Sequence, residues 1–260
     1  HNPERNIGDK LLVSASYGDD EKNSITHSLV LLHVGGRDMR GSLSGIHGAH
    51  LGRIEYIATD TTNQAIPWVA KENADGSMTE YLSSDAKAPV QGKKRLMDCI
   101  DCHNRAAHSF DTPEEALNRA IAAGNPDASL PFVHKQGLAL IKADYSSQAD
   151  AESKITAGLE EFYSKQYPDI WSQKRSQVDE AAKALGAIYG VNVFPAMKVT
   201  WGTHPNNLDH NAYPGCFRCH DGSHSTADGK TSINNDCSIC HNLLAVDEVN
   251  PKQLADLGLQ

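Results

Sequence analysis

The most informative segment of the sequence runs from Cys216 to His241. It reads Cys-Phe-Arg-Cys-His at residues 216–220, continues through a 16-residue spacer, and ends with Cys-Ser-Ile-Cys-His at residues 237–241. Two thiols three positions apart can bond to the two vinyl groups of one haem, and the adjacent His can then ligate the iron. The stretch therefore predicts two covalent haem sites close together in the chain.

A third copy of the motif, Cys-Ile-Asp-Cys-His, lies upstream at residues 99–103, so all six cysteines fall into such units. The sequence predicts three haem c groups. The residues that attach them and ligate iron on the proximal side are Cys99, Cys102 and His103, then Cys216, Cys219 and His220, and finally Cys237, Cys240 and His241.

Two other kinds of site use paired cysteines. The 17 residues between Cys219 and Cys237 suit a four-cysteine zinc ribbon, and each Cys-x-x-Cys unit alone resembles a redox dithiol. Neither explains a His after every second Cys. With 13 His among 260 residues, three such coincidences have a chance of about one in ten thousand. The motifs therefore favour haem over zinc or a dithiol.

Composition limits the partners of the chain. The formal charge is −9 with His neutral, and haem propionates would make it more negative. Nucleic acid is therefore an unfavourable partner, whereas a redox protein with a basic docking patch fits this charge. The most apolar run, residues 28–34, is far shorter than the roughly 18 residues expected of a membrane span and predicts a strand.

The start of the sequence carries one further expectation. Haem is attached to c-type cytochromes outside the cytoplasmic membrane, so we expect a periplasmic or extracellular protein whose signal or anchor is not in this sequence. His1-Asn2 matches His103-Asn104, which follow the second Cys of the first motif. His1 is therefore a candidate ligand of a fourth haem, with an arbitrary start of the chain as the alternative.

The hydrophobic patterns predict an α+β fold organised around haems. They divide the chain into a β-rich region at 1–98, the first haem motif at 99–111, a helical region at 112–190, and a two-haem segment with little regular secondary structure at 191–260. Predicted strands lie at 28–34, 53–58, 65–70 and 79–82, with a hairpin turn at Asp75-Gly76. Predicted helices lie at about 113–123 with Thr112 as N-cap, at 131–144, after Ser147, and before Gly190.

A second histidine on each iron would leave no open coordination position. His47 and His50 lie in a Gly-rich stretch that predicts a loop, and His108 follows the first motif by five residues. His204 and His210 precede the second motif, and His224 follows it. The candidate distal ligands are therefore His47, His50, His108, His204, His210 and His224, six side chains for three positions.

Several of these segments resemble a known family. The runs at 97–108, 56–60, 66–69 and 201–224 are similar to bacterial multihaem c-type cytochromes of the NapC/NirT-like kind. The resemblance implies bis-His haems that pass electrons between a quinol pool and periplasmic or extracellular acceptors. It also places His47, His108, His210 and His224 at recurring ligand positions. The membrane anchor and earlier haem motifs with which such proteins begin are not in this sequence.

Three functions follow from these observations. The leading hypothesis is a haem relay in which every iron has two His ligands and only changes oxidation state. The second is an enzyme that reduces a small nitrogen or sulfur oxyanion at a five-coordinate haem. The third is a subunit of a larger cytochrome complex or filament, for instance with a membrane-anchored partner.

Overall fold

The structure is a computed structural model that describes residues 6–103 and 109–259, a mixture of helices and strands. The strands are β1 (Asp9–Tyr17), β2 (Ile25–His33), β3 (Gly36–Arg37), β4 (Leu43–Ser44), β5 (Ile54–Ile57), β6 (Trp68–Glu72), β7 (Met78–Leu82), β8 (Arg95–Leu96) and β9 (His241–Glu248). The α-helices are α1 (Gly45–His50), α2 (Cys99–Cys102), α3 (Pro113–Ala122), α4 (Val133–Ile141), α5 (Gln148–Gln166), α6 (Pro168–Gln173), α7 (Arg175–Asn192) and α8 (Lys252–Asp256).

The chain forms two compact units, each assembled from separate segments. The first, here called the motif unit, contains residues 30–109 and 204–242 with the chain up to residue 12. The second, the helical unit, contains residues 13–29, 110–203 and 243–260. All three Cys-x-x-Cys-His motifs belong to the motif unit. The four consecutive regions expected from the sequence, at 1–98, 99–111, 112–190 and 191–260, stay a prediction.

An antiparallel sheet in the order β7-β6-β5-β8 supports the motif unit. The sequence predicted β5, β6 and β7, and the turn between β6 and β7 closes where Gly76 donates its N–H to the Asn73 carbonyl. One sheet face carries Tyr56 and Val69, which pack with Cys219 of the second motif. The thiol-bearing segment therefore lies against the β-sheet core.

The stretch at 45–50 forms α1, although its glycines predicted a loop. Gly45 has φ +62° and sits 2.5 Å, measured from an ideal Cβ, from the His33 carbonyl oxygen. Only glycine tolerates both that backbone conformation and that approach. Gly48 is buried against the ribbon of β3 and β4. The glycines therefore permit close packing of α1, and the free energy gained from that packing outweighs the low helix propensity of glycine.

The helical unit confirms the start of the first predicted helix. The Thr112 side chain accepts the Glu115 N–H, and the Glu115 carboxylate accepts from the Thr112 N–H, which forms a capping box. Pro113 occupies the first helical position, and Gly124 beyond the end has φ +90°. Local sequence therefore specifies both ends of α3.

Helices α3, α4, α5 and α7 enclose the core of this unit. Its fully buried side chains include Ile155, Leu159 and Tyr163 on α5, and Val178 and Leu185 on α7. The three residues of α5 lie four positions apart and the two of α7 seven, so each set occupies one helix face, as predicted. Helix α7 continues to Asn192, two residues beyond the predicted end, and α6 was not predicted.

The region after residue 191 contains more regular structure than the sequence predicted. Strand β9 begins at His241, the last residue of the third motif, and pairs in a three-stranded sheet of order β1-β2-β9. Strand β1 was also not predicted. Only Ala245 of β9 is buried, and it packs with Leu29 and Leu254. Because these strands are largely exposed, they lack the two-residue alternation that marks a half-buried strand.

Among the helices in the described part of the chain, none combines the length and apolar character needed to cross a bilayer.

We expect Thr112→Ala to lower the free energy of unfolding of the helical unit by about 1 kcal/mol, because α3 loses its N-cap. Urea unfolding followed by far-UV circular dichroism measures this change. Thr156→Ala is the control, since the partly exposed Thr156 lies inside α5, where its hydroxyl donates to the Glu152 carbonyl and caps no helix end. Equal effects of the two substitutions would contradict the capping role.

Candidate functional site

Each motif folds as a short helical turn. The first forms α2, where Asp98 and Asp101 make a capping box, and the second and third form 3₁₀ turns at Gly215–Arg218 and Cys237–Ile239. Residues three apart in such a turn face the same side. Both cysteines of each motif are therefore presented together, as attachment to one haem requires.

Gly215 fixes the start of the second motif. Its backbone has φ +48°, and an ideal Cβ would lie 1.4 Å from the Asp209 carbonyl oxygen. The Cys216 N–H donates to that same carbonyl. Only glycine fits this approach, so Gly215 holds the segment that carries His210 directly beside the motif.

The motif unit brings each proximal histidine next to one candidate distal histidine. The ring centroids are 6.3 Å apart for His47 and His103, 5.7 Å for His50 and His220, and 6.1 Å for His210 and His241. Among the described residues, each motif histidine thus faces a different candidate.

These separations fit two imidazoles on opposite sides of one metal ion. Metal–nitrogen bonds of about 2.0 Å on each side place the two Nε2 atoms about 4 Å apart and the ring centroids about 6 Å apart. The Nε2 atoms of His50 and His220 lie 3.5 Å apart. The histidine pairs therefore have the spacing that axial ligation of a haem iron demands.

Hydrogen bonds orient His50 and His220 for this role. The Nδ1 of His50 lies 2.7 Å from the Ile46 carbonyl oxygen, and the Nδ1 of His220 lies 2.6 Å from the Asn234 carbonyl oxygen. A carbonyl accepts only from a protonated Nδ1, so in the neutral tautomers both Nε2 atoms carry lone pairs. Two facing lone pairs repel unless a cation lies between them, and carbonyl-bound Nδ1 is the usual outer contact of a metal-ligating histidine.

Helix α1 supplies two of the distal candidates. His47 and His50 are three residues apart and share a helix face. Burial lowers the pKa of both side chains, which favours the neutral imidazole that binds metal. The Nδ1 of His47 is buried without a hydrogen-bond partner among the described residues. A single helix thus serves the first and second motifs.

The aromatic ring of Phe217, in the second motif, packs on His210, the candidate ligand that faces the third motif. Phe217 stacks on His210 with centroids 4.1 Å apart and planes 11° apart. His210 in turn faces His241, whose buried Nδ1 has no hydrogen-bond partner in the described part of the chain. Phe217 therefore fixes the ring orientation of His210, the histidine that faces the third motif.

The other histidine candidates have different surroundings. His224 is 2% exposed, with its Nε2 2.8 Å from the Ile66 carbonyl oxygen and its Nδ1 near Ser223 and Asp221. Both ring nitrogens of His224 therefore already have polar partners within the protein. His204 is partly buried, and none of the three pairs includes it. His1 and His108 lie outside the described residues.

Buried polar side chains join the first two motifs. Arg218 donates from Nε to the Gly215 carbonyl at 2.8 Å, from Nη1 to the Asn63 carbonyl at 3.0 Å, and from Nη2 to the Asp101 carbonyl at 2.8 Å. Asn207, 3% exposed, donates its backbone N–H to the Cys102 carbonyl. These bonds fix the two motifs relative to each other.

The Asp101 carboxylate anchors the first motif to the sheet. It accepts from the Tyr56 hydroxyl at 2.5 Å and from the Asp98 N–H at 2.8 Å, while Arg95 lies 3.5 Å away. Burial, followed by the bond to Asp101, raises the pKa of Tyr56 and keeps its hydroxyl a donor. The turn that carries Cys99 and Cys102 is thus fixed to β5.

The cysteine environments do not suit the other kinds of site. None of the six cysteines forms a disulfide, and burial raises the pKa of Cys102, Cys216, Cys240 and Cys219, the last to about 12. Reactive dithiols need a lowered pKa. No group of three or more His, Cys, Asp or Glu side chains within residues 6–103 and 109–259 converges as a metal cluster. Neither a redox dithiol nor a zinc ribbon is favoured.

Sequence reasoning missed Arg218, Asn207 and Phe217. Arg218 and Phe217 occupy the two variable positions of the second motif, whose residue types the attachment chemistry leaves open. Asn207 lies in a segment without a motif. No local signal identifies Arg218 and Asn207, because their partners Asn63, Asp101 and Cys102 are distant in sequence.

No protein-family model and no solved structure matches the chain. Among curated proteins, the cytochrome c-type protein ImcH of Geobacter sulfurreducens is 37% identical over 251 residues. The chain is similar to a c-type cytochrome. The alignment covers 94% of this chain and 49% of the relative, so the chain spans about half the length of that protein. The similarity supports the prediction of a c-type cytochrome made from the motifs, while the NapC/NirT-like resemblance stays a prediction.

We expect peptide mass mapping of the purified protein to find one haem on each of the three Cys-x-x-Cys-His peptides and no cysteine open to alkylation after denaturation, because every thiol is used in a thioether bond. Cys237→Ser should lower the amount of haem attached to the third peptide and leave the amounts on the other two unchanged. Six alkylated cysteines in a protein without haem would contradict the assignment.

Proposed function

We propose that the chain is an electron-transfer region of a multihaem c-type cytochrome with at least three bis-His haems. One observation carries the proposal: each motif histidine faces its own distal histidine at the spacing of two axial ligands. The proposed ligand pairs are His47 with His103, His50 with His220, and His210 with His241. A fourth haem would need ligands outside these pairs, such as His1, His108 or His204.

Bound haem supplies a one-electron change at iron. The residues of the chain hold the imidazoles in place on both sides, which leaves no coordination position for a substrate. The backbone carbonyls of Ile46 and Asn234 fix two of the rings, and Phe217 fixes a third. Rigid ligands minimise rearrangement when the charge of the site changes, which favours electron transfer over chemistry on a bound substrate.

The links between motifs support transfer from one haem to the next. Arg218 joins the first and second motifs, and Asn207 bonds to the first motif from the segment that precedes the second. Phe217 connects the second motif to the proposed ligand of the third. These contacts keep the order of the motifs fixed in space. We therefore propose a relay in which the second motif occupies the central position.

The proposed setting follows from the chemistry of haem attachment and from charge. Covalent attachment outside the cytoplasmic membrane makes a periplasmic or extracellular location the expected one. The net charge of −9 suits a redox partner with a basic docking patch. The donor would be a quinol-linked or periplasmic protein, the acceptor a periplasmic or extracellular one, and a larger cytochrome complex would be a further partner.

We expect His50→Ala to convert one haem from low spin to high spin, because it removes one of two axial ligands. His47→Ala and His210→Ala should each do the same for a different haem. Electron paramagnetic resonance and magnetic circular dichroism of the oxidised protein count the low-spin haems.

The control is His224→Gln, which keeps a side-chain donor near the Ile66 carbonyl and should leave every haem low spin. Loss of a low-spin haem in this variant, with none lost in His50→Ala, would contradict the proposed pairs. A high-spin haem in the unaltered protein that binds cyanide or nitrite would instead support the haem enzyme.

We expect Gly48→Val to disturb two haems together. An ideal Cβ at Gly48 lies 3.1 Å from the Gly36 carbonyl oxygen and 3.2 Å from the Leu43 Cβ, so a branched side chain displaces α1 from the ribbon. Because α1 carries His47 and His50, two low-spin signals should change, and the His210–His241 signal should not. Ala49→Val, at the exposed neighbouring position, is the matched control and should change none.

A further inference from the structure

Arg218 is the buried cation of the motif unit. Its residue exposure is 7%, and its guanidinium donates to the backbone carbonyls of Gly215, Asn63 and Asp101. Within the described residues it forms no ion pair, since the Asp101 carboxylate bonds to Tyr56 and Asp98 instead. Neutral carbonyls satisfy its hydrogen bonds and leave its charge without a directly bound anion.

Burying a charge without a partner of opposite charge costs free energy. With a net charge of −9 the protein has many carboxylates, yet within the described residues none pairs with Arg218. Arg218 lies inside the second motif, and its Nη2 bonds to the residue that precedes Cys102 in the first. The position therefore exposes two motifs to one positive charge. Such a charge favours the reduced state of a nearby redox centre, because reduction makes the net charge of that centre one unit more negative.

The hydrogen bonds of Arg218 show which motifs its charge contacts. Nη2 bonds to the carbonyl of Asp101, between Cys99 and Cys102 of the first motif, and Nε bonds to the carbonyl of Gly215, which directly precedes Cys216 of the second. Among the described residues, these hydrogen-bond partners include no residue of the third motif. The charge is therefore in direct contact with the first and second motifs.

We infer that Arg218 is a shared electrostatic tuning residue that raises the reduction potentials of the haems at the first and second motifs relative to the third. The inference rests on the proposed function. A unit charge at roughly 10 Å in a medium of effective dielectric about 20 changes an equilibrium constant about tenfold. For a one-electron couple, a tenfold change corresponds to a shift of about 59 mV in the reduction potential of each of the two haems.

Spectroelectrochemical titration of the intact holoprotein, with soluble mediators as electron donors, tests the inference. Each transition is first assigned by replacing one distal histidine at a time with Met, which raises the potential of that haem. We expect Arg218→Gln to lower the reduction potentials of the first two haems. The shift corresponds to an equilibrium constant for reduction that is about tenfold smaller for each. The third should move least.

Two further variants separate charge from structure. Arg218→Lys keeps the charge but loses the forked hydrogen bonds, so its potentials should stay near those of the unaltered protein. Arg95→Gln removes a cation that is largely exposed and paired with Asp101, so it should have little effect. Equal shifts in Arg218→Gln and Arg218→Lys, or none in either, would overturn the inference.

Asn63→Asp provides a test that does not alter Arg218. The Asn63 carbonyl accepts from Nη1 of Arg218, and its backbone has φ +56°, which Asp tolerates. A carboxylate there would partly neutralise the guanidinium, and the same two potentials should fall. Unchanged potentials in this variant would also overturn the inference. Low-spin spectra in all variants distinguish a failure of this inference from a failure of the proposed haem ligation.

Discussion

The motif unit is organised around the approach of two imidazole nitrogens. The Nε2 atoms of His50 and His220 face each other across 3.5 Å while their Nδ1 atoms are held by carbonyls. With both rings neutral and both Nδ1 atoms protonated, the facing Nε2 lone pairs repel, and a cation between them would relieve that repulsion. Glycine-permitted packing brings α1 to this position, and the turn of the second motif presents the opposite ring.

The remaining links of the motif unit extend this constraint to the other two pairs. Helix α1 carries His47 as well, so its placement opposite one motif also places the histidine that faces another. Arg218 connects the first two motifs through backbone carbonyls, and Phe217 orders His210 for the third. In the proposed relay, the two variable residues of one motif thus influence all three haem sites.

Much of the fold could be predicted from local signals. Thr112, Pro113 and Gly124 mark the ends of α3, and the spacing of Ile155, Leu159 and Tyr163 marks the buried face of α5. These features depend on neighbours within one or two turns. Strands β1 and β9 and helix α1 were not recognised, because exposed strands lack alternation and the glycines of α1 have a tertiary rather than a local role.

The sequence by itself determined the chemistry of attachment: three Cys-x-x-Cys-His units, no spare cysteine, and more histidines than axial positions. It could not decide which distal histidine faces which motif. That choice depends on contacts between residues as far apart as His50 and His220, and on whether ring nitrogens are already bonded, as they are in His224. Only the tertiary structure decides it, because metal ligation requires spacing and orientation in space, which separation along the chain does not encode.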